Sequence, residues 1–173
     1  MRCILLALLA LAVPQAAHAQ FKGYFDISAL TVASLKEPDW ARKQDGDRIR
    51  YMCLDFARCA LPTAVEIKGV VRAESLPDAF ENGALSPAKL KAAGDAKASP
   101  NAKFLSAEPI AVAGRKGVAM EGSAEVNGTI YYITRWVGEG SRMLEVKVTA
   151  RDLKLARELA EAASQELVPQ VFK

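Results

Sequence analysis

The strongest pattern in the chain is an alternation of apolar and polar positions through its second half. Phe104 to Ala113, Gly117 to Val126, Thr129 to Val137 and Arg142 to Thr149 read as four consecutive strands, joined by short turns containing Gly114-Arg115-Lys116, Asn127-Gly128 and Gly138-Glu139-Gly140. Strands joined by turns this short pair antiparallel, which predicts a meander. Read as a two-residue type I′ turn, Asn127-Gly128 sets Val126 opposite Thr129, Ala124 opposite Tyr131, Gly122 opposite Ile133 and Val118 opposite Val137. A four-residue turn from Gly138 to Ser141 then sets Ile133 against Val146 and Tyr131 against Val148, so one face is apolar across three strands. Beyond the last strand, Leu153, Ala156, Leu159, Ala160, Ala163 and Leu167 recur at helical spacing, with Lys154, Arg157, Glu158, Glu161 and Gln165 on the other side. Thr149 is the expected N-cap, Asp152 its capping-box partner and Pro169 the stop.

The first half is less regular. Phe21 to Lys36 has no clear period and reads as an irregular lead-in with a helical turn near Ser28 to Leu35. Trp40 to Gln44 and Arg48 to Leu54 flank Asp45-Gly46-Asp47, a hairpin signal that places Ile49, Tyr51 and Cys53 on one face. Ala64 to Ala73 alternates as a third strand, with Val65, Ile67 and Val71 inward and Glu66, Lys68 and Arg72 outward. Ser75 to Asn82 and Pro87 to Ala93 read as short helices, and residues 89–103, rich in Lys, Ala, Gly and Ser, include an exposed connector. The expected class is α+β: an antiparallel meander against a C-terminal amphipathic helix, with short helices available for the other face.

This order of elements resembles the PsbP/Mog1/DcrB-like group of small α/β sandwich proteins. The resemblance covers Phe104 to Lys173 and is carried by Asn127-Gly128-Thr129-Ile130-Tyr131-Tyr132, the Gly138-Glu139-Gly140 turn and the closing helix. It implies antiparallel strands preceding a C-terminal helix, and accessory or binding roles toward diverse partners. It transfers no catalytic motif. The cysteine hairpin of the first half departs from the group's pattern.

The N-terminus changes the picture. Arg2, the apolar run Ile4 to Val13, Pro14 and Ala17-His18-Ala19 form a signal-peptide pattern, with cleavage expected between Ala19 and Gln20. The apolar run is about half of what a membrane span needs. The expected mature chain, residues 20–173, is a single domain. Loss of residues 1–19 removes Cys3 and His18, leaving two cysteines and no histidine. Without imidazole, the usual general bases, activated nucleophiles and zinc, copper or iron sites fall away. Carboxylate chemistry, Ser/Lys dyads and organic cofactors survive that exclusion. In an exported chain the remaining pair, Cys53 and Cys59, is expected to form a structural disulfide, since redox-active pairs normally enclose two residues and this pair encloses five. With 23 Lys+Arg against 20 Asp+Glu, the charge of +3 carries no nucleic-acid footprint.

Several constellations have both a chemical and a plain structural reading. Ser86-Pro87-Ala88-Lys89 has the Ser-x-x-Lys spacing of penicillin-binding enzymes but lacks their companion motifs, and Ser-Pro is an ordinary helix N-cap and first residue. Asp45 and Asp47 fit a turn better than an EF-hand loop. Glu121, Glu125 and Glu145 are expected opposite the Leu144, Val146 and Val148 face, where two of them in one cleft would give a paired-carboxylate site. Lys89, Lys91, Lys97 and Lys103 form either a solvated basic stretch or a contact for anionic lipid or an acidic partner. The most informative surface is the outward face carrying Tyr132 and Trp136, with Ala119 and Met143 beside Trp136 and Lys147 beside Tyr132. Aromatics where alternation predicts water mark a binding surface, unless the short helices cover them.

These readings lead to a periplasmic or secreted, non-enzymatic binding or accessory protein. Its expected surface is Tyr132, Trp136, Met143 and Lys147, its partner an unidentified protein or small molecule, and it needs no metal, cofactor or nucleic acid. Two alternatives stay open: a histidine-free carboxylate enzyme on the same face, and a purely structural envelope protein.

Overall fold

Eight strands, every neighbouring pair antiparallel, form one open sheet in the order β2-β3-β4-β8-β7-β6-β5, with β1 beside the outer end of β4. The computed structural model describes residues 21–59, 62–72, 76–97 and 101–173. The strands are β1 Phe21–Tyr24, β2 Trp40–Asp45, β3 Arg48–Cys53, β4 Ala64–Arg72, β5 Ala102–Val112, β6 Arg115–Glu125, β7 Thr129–Glu139 and β8 Arg142–Ala150. Helices α1 Phe56–Cys59, α2 Leu76–Glu81, α3 Pro87–Lys97 and α4 Leu153–Val171 complete an α+β fold. The leader expected at residues 1–19 and its cleavage point lie outside the described residues.

The meander and the β2–β3 hairpin of the sequence reading are present, but the β6–β7 and β7–β8 registers differ from the expected ones. Asn127 and Gly128 both take positive φ, 51° and 103°. The loop nevertheless holds three residues, because Glu125 pairs with Thr129 and the Val126 amide donates to the Gly128 carbonyl at 2.9 Å. Arg151 also donates to the Asn127 carbonyl at 2.9 Å, fastening the turn to the start of α4. Val118 therefore pairs with Trp136 and Gly122 with Tyr132, one residue away from the two-residue reading. Since side chains alternate faces, that single step moves the whole of β6 to the other side of the sheet. At the next turn Glu139 pairs with Arg142, which sets Ile133 against Val148 and Val137 against Leu144. This differs from expectation by two residues and so preserves the faces.

One face is closed by α4. Its stripe Ala156, Ala160, Ala163, Ser164, Leu167, Val168 and Val171 is buried, and small residues let the helix seat close to β8 and β7. Beneath lie Ile133, Val137, Leu144, Val146 and Val148, continued by Ile49, Tyr51, Val65 and Ile67, each 2% exposed or less. The N-cap is Asp152, three residues beyond Thr149, and its carboxylate accepts from the Leu155 amide at 2.7 Å. Pro169 does not stop the helix, which continues to Val171; a proline this near the end forfeits a single backbone bond.

The irregular lead-in also belongs to this core. Ile27, Leu30, Val32 and Leu35 are buried, held by the Val32 amide donating to the Tyr51 hydroxyl at 3.1 Å and by the Ala33 and Ser34 amides donating to the Glu166 carboxylate. Cys53 and Cys59 form the expected disulfide, with Cα atoms 6.4 Å apart. Closing so short a loop contributes roughly 2 kcal/mol through the unfolded chain.

A second, smaller core lies on the far face, where Ala79, Leu85, Leu90, Val118, Met120, Trp136 and Met143 cluster under α2 and α3. Residues 89–97 are helical, not an exposed connector, because Leu90 is 3% exposed in this cluster and α3 rests directly on β5. A Cβ at Gly94 would come within 2.3 Å of the Phe104 ring, so glycine is what permits that approach. Val71 and Arg72 also depart from the expected alternation: Val71 is half-buried and Arg72 only 5% exposed. The strand end they occupy is flanked by β1, with Phe21 paired to Arg72.

Candidate functional site

The far face divides into two parts. Over β5, β6 and β7 the short helices cover apolar side chains, while none of the described helices seats on this face of β2 or β3. The uncovered part carries charge. Cross-strand pairing on this face sets Lys43 beside Arg50, Arg50 beside Glu66, Glu66 beside Lys147, Arg48 beside Lys68 and Lys68 beside Glu145, with Asp45 beside Arg48 at the edge.

Glu66 is the hub of this surface. Its carboxylate accepts from Arg50 at 2.8 Å and lies 3.4 Å from both Arg48 and Lys68, while Lys68 is 4.0 Å from Glu145. Burial pushes the Glu66 carboxyl upward. The hydrogen bond from Arg50 and the charges of Arg48, Lys68 and Arg50 outweigh that and hold it below its ordinary value. Lys147 lies over the Tyr132 ring, its ammonium 5.7 Å from the centroid. Burial lowers the Lys147 amine, partly offset by the charges of Glu66 and Glu145, and burial raises the Tyr132 phenol. Counting Lys43, Arg48, Arg50, Lys68 and Lys147 against Asp45, Glu66 and Glu145, the surface has a cationic excess.

The four residues expected to form a binding surface separate here. Tyr132 and Lys147 stay together at the border of the charged region. Trp136 and Met143 are 4% and 6% exposed and belong to the second core, so for these two the alternative of coverage by the short helices holds. Helices α2 and α3 cover them, and the Trp136 indole donates to Glu145 at 2.7 Å. The neighbour of Trp136 on β6 is Val118 rather than Ala119, a consequence of the three-residue turn.

The register also separates the carboxylates. Glu121 faces α4, where Arg157 donates to both of its oxygens at 2.7 Å, and Glu145 lies on the far face. The expectation that Glu121 and Glu145 share one face is thus corrected, since the sheet stands between them. Glu125 lies at the far end of β6, where Thr129 donates to it at 2.8 Å. Ser86 serves as a helix cap, its hydroxyl accepting from the Lys89 amide at 3.3 Å. Asp45 and Asp47 bracket Gly46, whose φ is 58°, in the β2–β3 turn. Among the described residues, no group of three or more His, Cys, Asp or Glu side chains is placed to hold a metal ion, and no helix is long and apolar enough to cross a membrane.

Arg48, Arg50, Glu66 and Lys68 were not singled out in the sequence as a site. Their signal is present in the alternation of β3 and β4, which puts all four on one face. What alternation leaves unspecified is that β4 pairs with β8, bringing Lys147 and Glu145 alongside.

Neither a family model nor a curated protein matches the chain. Solved structures similar in fold include a Bacteroides thetaiotaomicron protein at 12% identity and TM-score 0.46, over 71% of this chain and 39% of that one. Another is the Pseudomonas aeruginosa protein of unknown function PA94, at 12% identity and TM-score 0.40, over 75% of this chain and 96% of that one. A third is LpqN of Mycobacterium tuberculosis, involved in cell envelope biogenesis, at 15% identity and TM-score 0.45, over 75% of this chain and 76% of that one. The match spans 39% of the Bacteroides protein's length, and these likenesses carry no function across.

Proposed function

We propose that this chain is an exported, periplasmic or secreted binding or accessory protein, cleaved between Ala19 and Gln20. In this reading residues 20–173 act as a single unit that performs no chemistry. Its partner is a protein presenting acidic side chains, and its docking surface is the open half of the far face. The observation that carries this reading is a sheet surface on which none of the described helices seats, where Arg48, Arg50, Lys68 and Lys147 surround Glu66, with Glu145 and Tyr132 alongside. A surface with excess positive charge offers complementarity to an acidic partner, which governs encounter and register. Tyr132 and Lys147 are retained from the sequence reading; Trp136 and Met143 lie in the covered half of the same face, under α2 and α3. The small α/β architecture also suits the accessory and binding roles implied by the resemblance to the PsbP/Mog1/DcrB-like group.

The test is a capture experiment from envelope extract with wild type and a Lys43→Gln/Lys147→Met double variant. These two cations lie outside the ion pairs around Glu66, so the variant should keep its circular dichroism spectrum. A partner retained by wild type, released by added salt and lost by the variant is the expected result. Equal retention by both proteins, or retention indifferent to salt, overturns the assignment.

A further inference from the structure

The sheet ends in two edges, and they are built differently. In β5, Pro109 removes a backbone donor and the register shifts between Phe104 and Ser106, both ordinary ways of keeping a further strand from adding. The other edge, β2, has neither. Its six residues pair with β3 without a bulge, it contains no proline, and no described strand lies on its outer side. Residues 42–46 are exposed. The bonds of its neighbours fix which backbone groups of β2 point outward. The Cys53 amide donates to the Thr63 carbonyl at 3.0 Å, toward β4, and the Leu54 amide donates to the Asp39 carbonyl at 2.7 Å, toward β2. Alternation along β3 then turns Met52, Arg50 and Arg48 toward β2, where Ala41, Lys43 and Asp45 meet them. Trp40, Arg42 and Gln44 therefore direct their N–H and C=O groups away from the sheet. The Trp40 amide is used by the Lys36 carbonyl at 3.1 Å, which leaves Arg42 and Gln44 to bond a further strand.

What guards β2 is charge, and that charge is antisymmetric about Gln44. Arg42 and Lys43 precede it, Asp45 and Asp47 follow it, and the four sum to zero. Two antiparallel copies centred on Gln44 set the cationic end of each against the anionic end of the other. We propose that β2 pairs antiparallel with β2 of a second copy of this chain, Gln44 opposite Gln44, in a two-fold dimer whose sheet runs unbroken through both protomers. Two separate observations select this register. Gln44 bonds outward, so the two Gln44 residues exchange both backbone bonds at the axis. Lys43 then stands opposite Asp45 of the second copy on the far face, twice, at non-hydrogen-bonded positions where side chains approach most closely. Moving the axis to Lys43 or to Arg42 sets like charges against each other instead. On the helix side Arg42, whose guanidinium donates to the Ser28 carbonyl at 2.9 Å, comes opposite Gly46 of the second copy, where there is no side chain to meet. The dimer turns both charged far faces to one side, but its assembly is a property of the isolated chain and does not depend on what those faces bind.

Sedimentation velocity over a concentration series tests the assignment, with the chain expressed with its leader and purified with the disulfide intact. A monomer–dimer equilibrium that weakens with added salt is expected. Lys43→Asp alone and Asp45→Lys alone each turn both opposite-charge pairs into like-charge pairs, and each should weaken the dimer by about tenfold or more. Combining the two swaps restores opposite charges and should restore the dimer. Gln44→Pro removes an outward donor while sparing the β2–β3 ladder, and it should abolish dimerisation. Circular dichroism checks that each variant is folded. A chain that stays monomeric throughout, a dimer indifferent to the single swaps or to Gln44→Pro, or single swaps that the double variant fails to rescue overturns the proposal. Should Gln44→Pro fail to fold, the charge-swap series still decides it.

Discussion

The two halves of the far face belong to one sheet, with the same alternation, and differ in what covers them. Under α2 and α3 the face is Val118, Met120, Trp136 and Met143, all buried. Past Trp136, where no described helix seats on β2 or β3, it is Arg48, Arg50, Glu66, Lys68 and Lys147. The Trp136–Glu145 hydrogen bond joins the two, its ring in the apolar part and its N–H donating to the first carboxylate of the charged part. A pleated surface accepts either composition, so coverage by neighbouring elements decides which side chains a strand position favours. A large apolar side chain on an outward-reading position is therefore evidence of a covering helix as much as of a ligand.

If this division is right, Trp136 and the charged residues respond very differently to truncation. Trp136→Ala should be the most damaging change, at about 3–5 kcal/mol, because it opens a cavity beneath α2 and α3 and strips Glu145 of its indole donor. Urea unfolding followed by circular dichroism measures it. A loss below about 1 kcal/mol would mean that the cluster is loosely packed and that Trp136 belongs with the exposed surface after all.

How much of this was legible in the sequence follows from what alternation encodes. Strand positions of the meander, the β2–β3 hairpin, the disulfide and the amphipathic α4 are local signals, and each is present in the structure. The β6–β7 register is not local in that sense: Asn127-Gly128 is compatible with two- and three-residue loops, and one extra loop residue carried Glu121 from the far face to Arg157 on α4. Residues 25–36 show no period because they are held by side chains distant in sequence, Tyr51 and Glu166 among them. That Tyr132 and Lys147 share the far face follows from alternation alone. The Glu66 cluster needed the β4–β8 pairing, a contact between strands separated in the chain by two described helices and three strands.

Glu66 gives the charged half a pH signature that the apolar half lacks. Its pKa in the folded chain is depressed, so its stabilising contribution is present in full above the unfolded-state value. That contribution is lost as the pH falls through the folded-state value, from about pH 4.3 downward. Glu66→Gln should cost about 1 kcal/mol at neutral pH, since the ion pairs are partly exposed, and should remove this share of the acid sensitivity. Urea midpoints measured from pH 7 to pH 3 test it. Parallel curves for wild type and variant would show that Glu66 is not the hub of the surface.

The smallest effect on stability is expected at Lys147. Its ammonium is partly desolvated over Tyr132, and burial disfavours its charged form. Methionine has similar length, keeps contact with the ring and carries no charge to desolvate, while the lost cation–π attraction is about 0.5–1 kcal/mol at such a site. These terms oppose one another, so Lys147→Met should leave the urea midpoint within the equivalent of about 0.5 kcal/mol of wild type while weakening capture of an acidic partner. A loss comparable to that of Trp136→Ala would place Lys147 in the structural half of the face, and the border between the two halves would have to move past Tyr132.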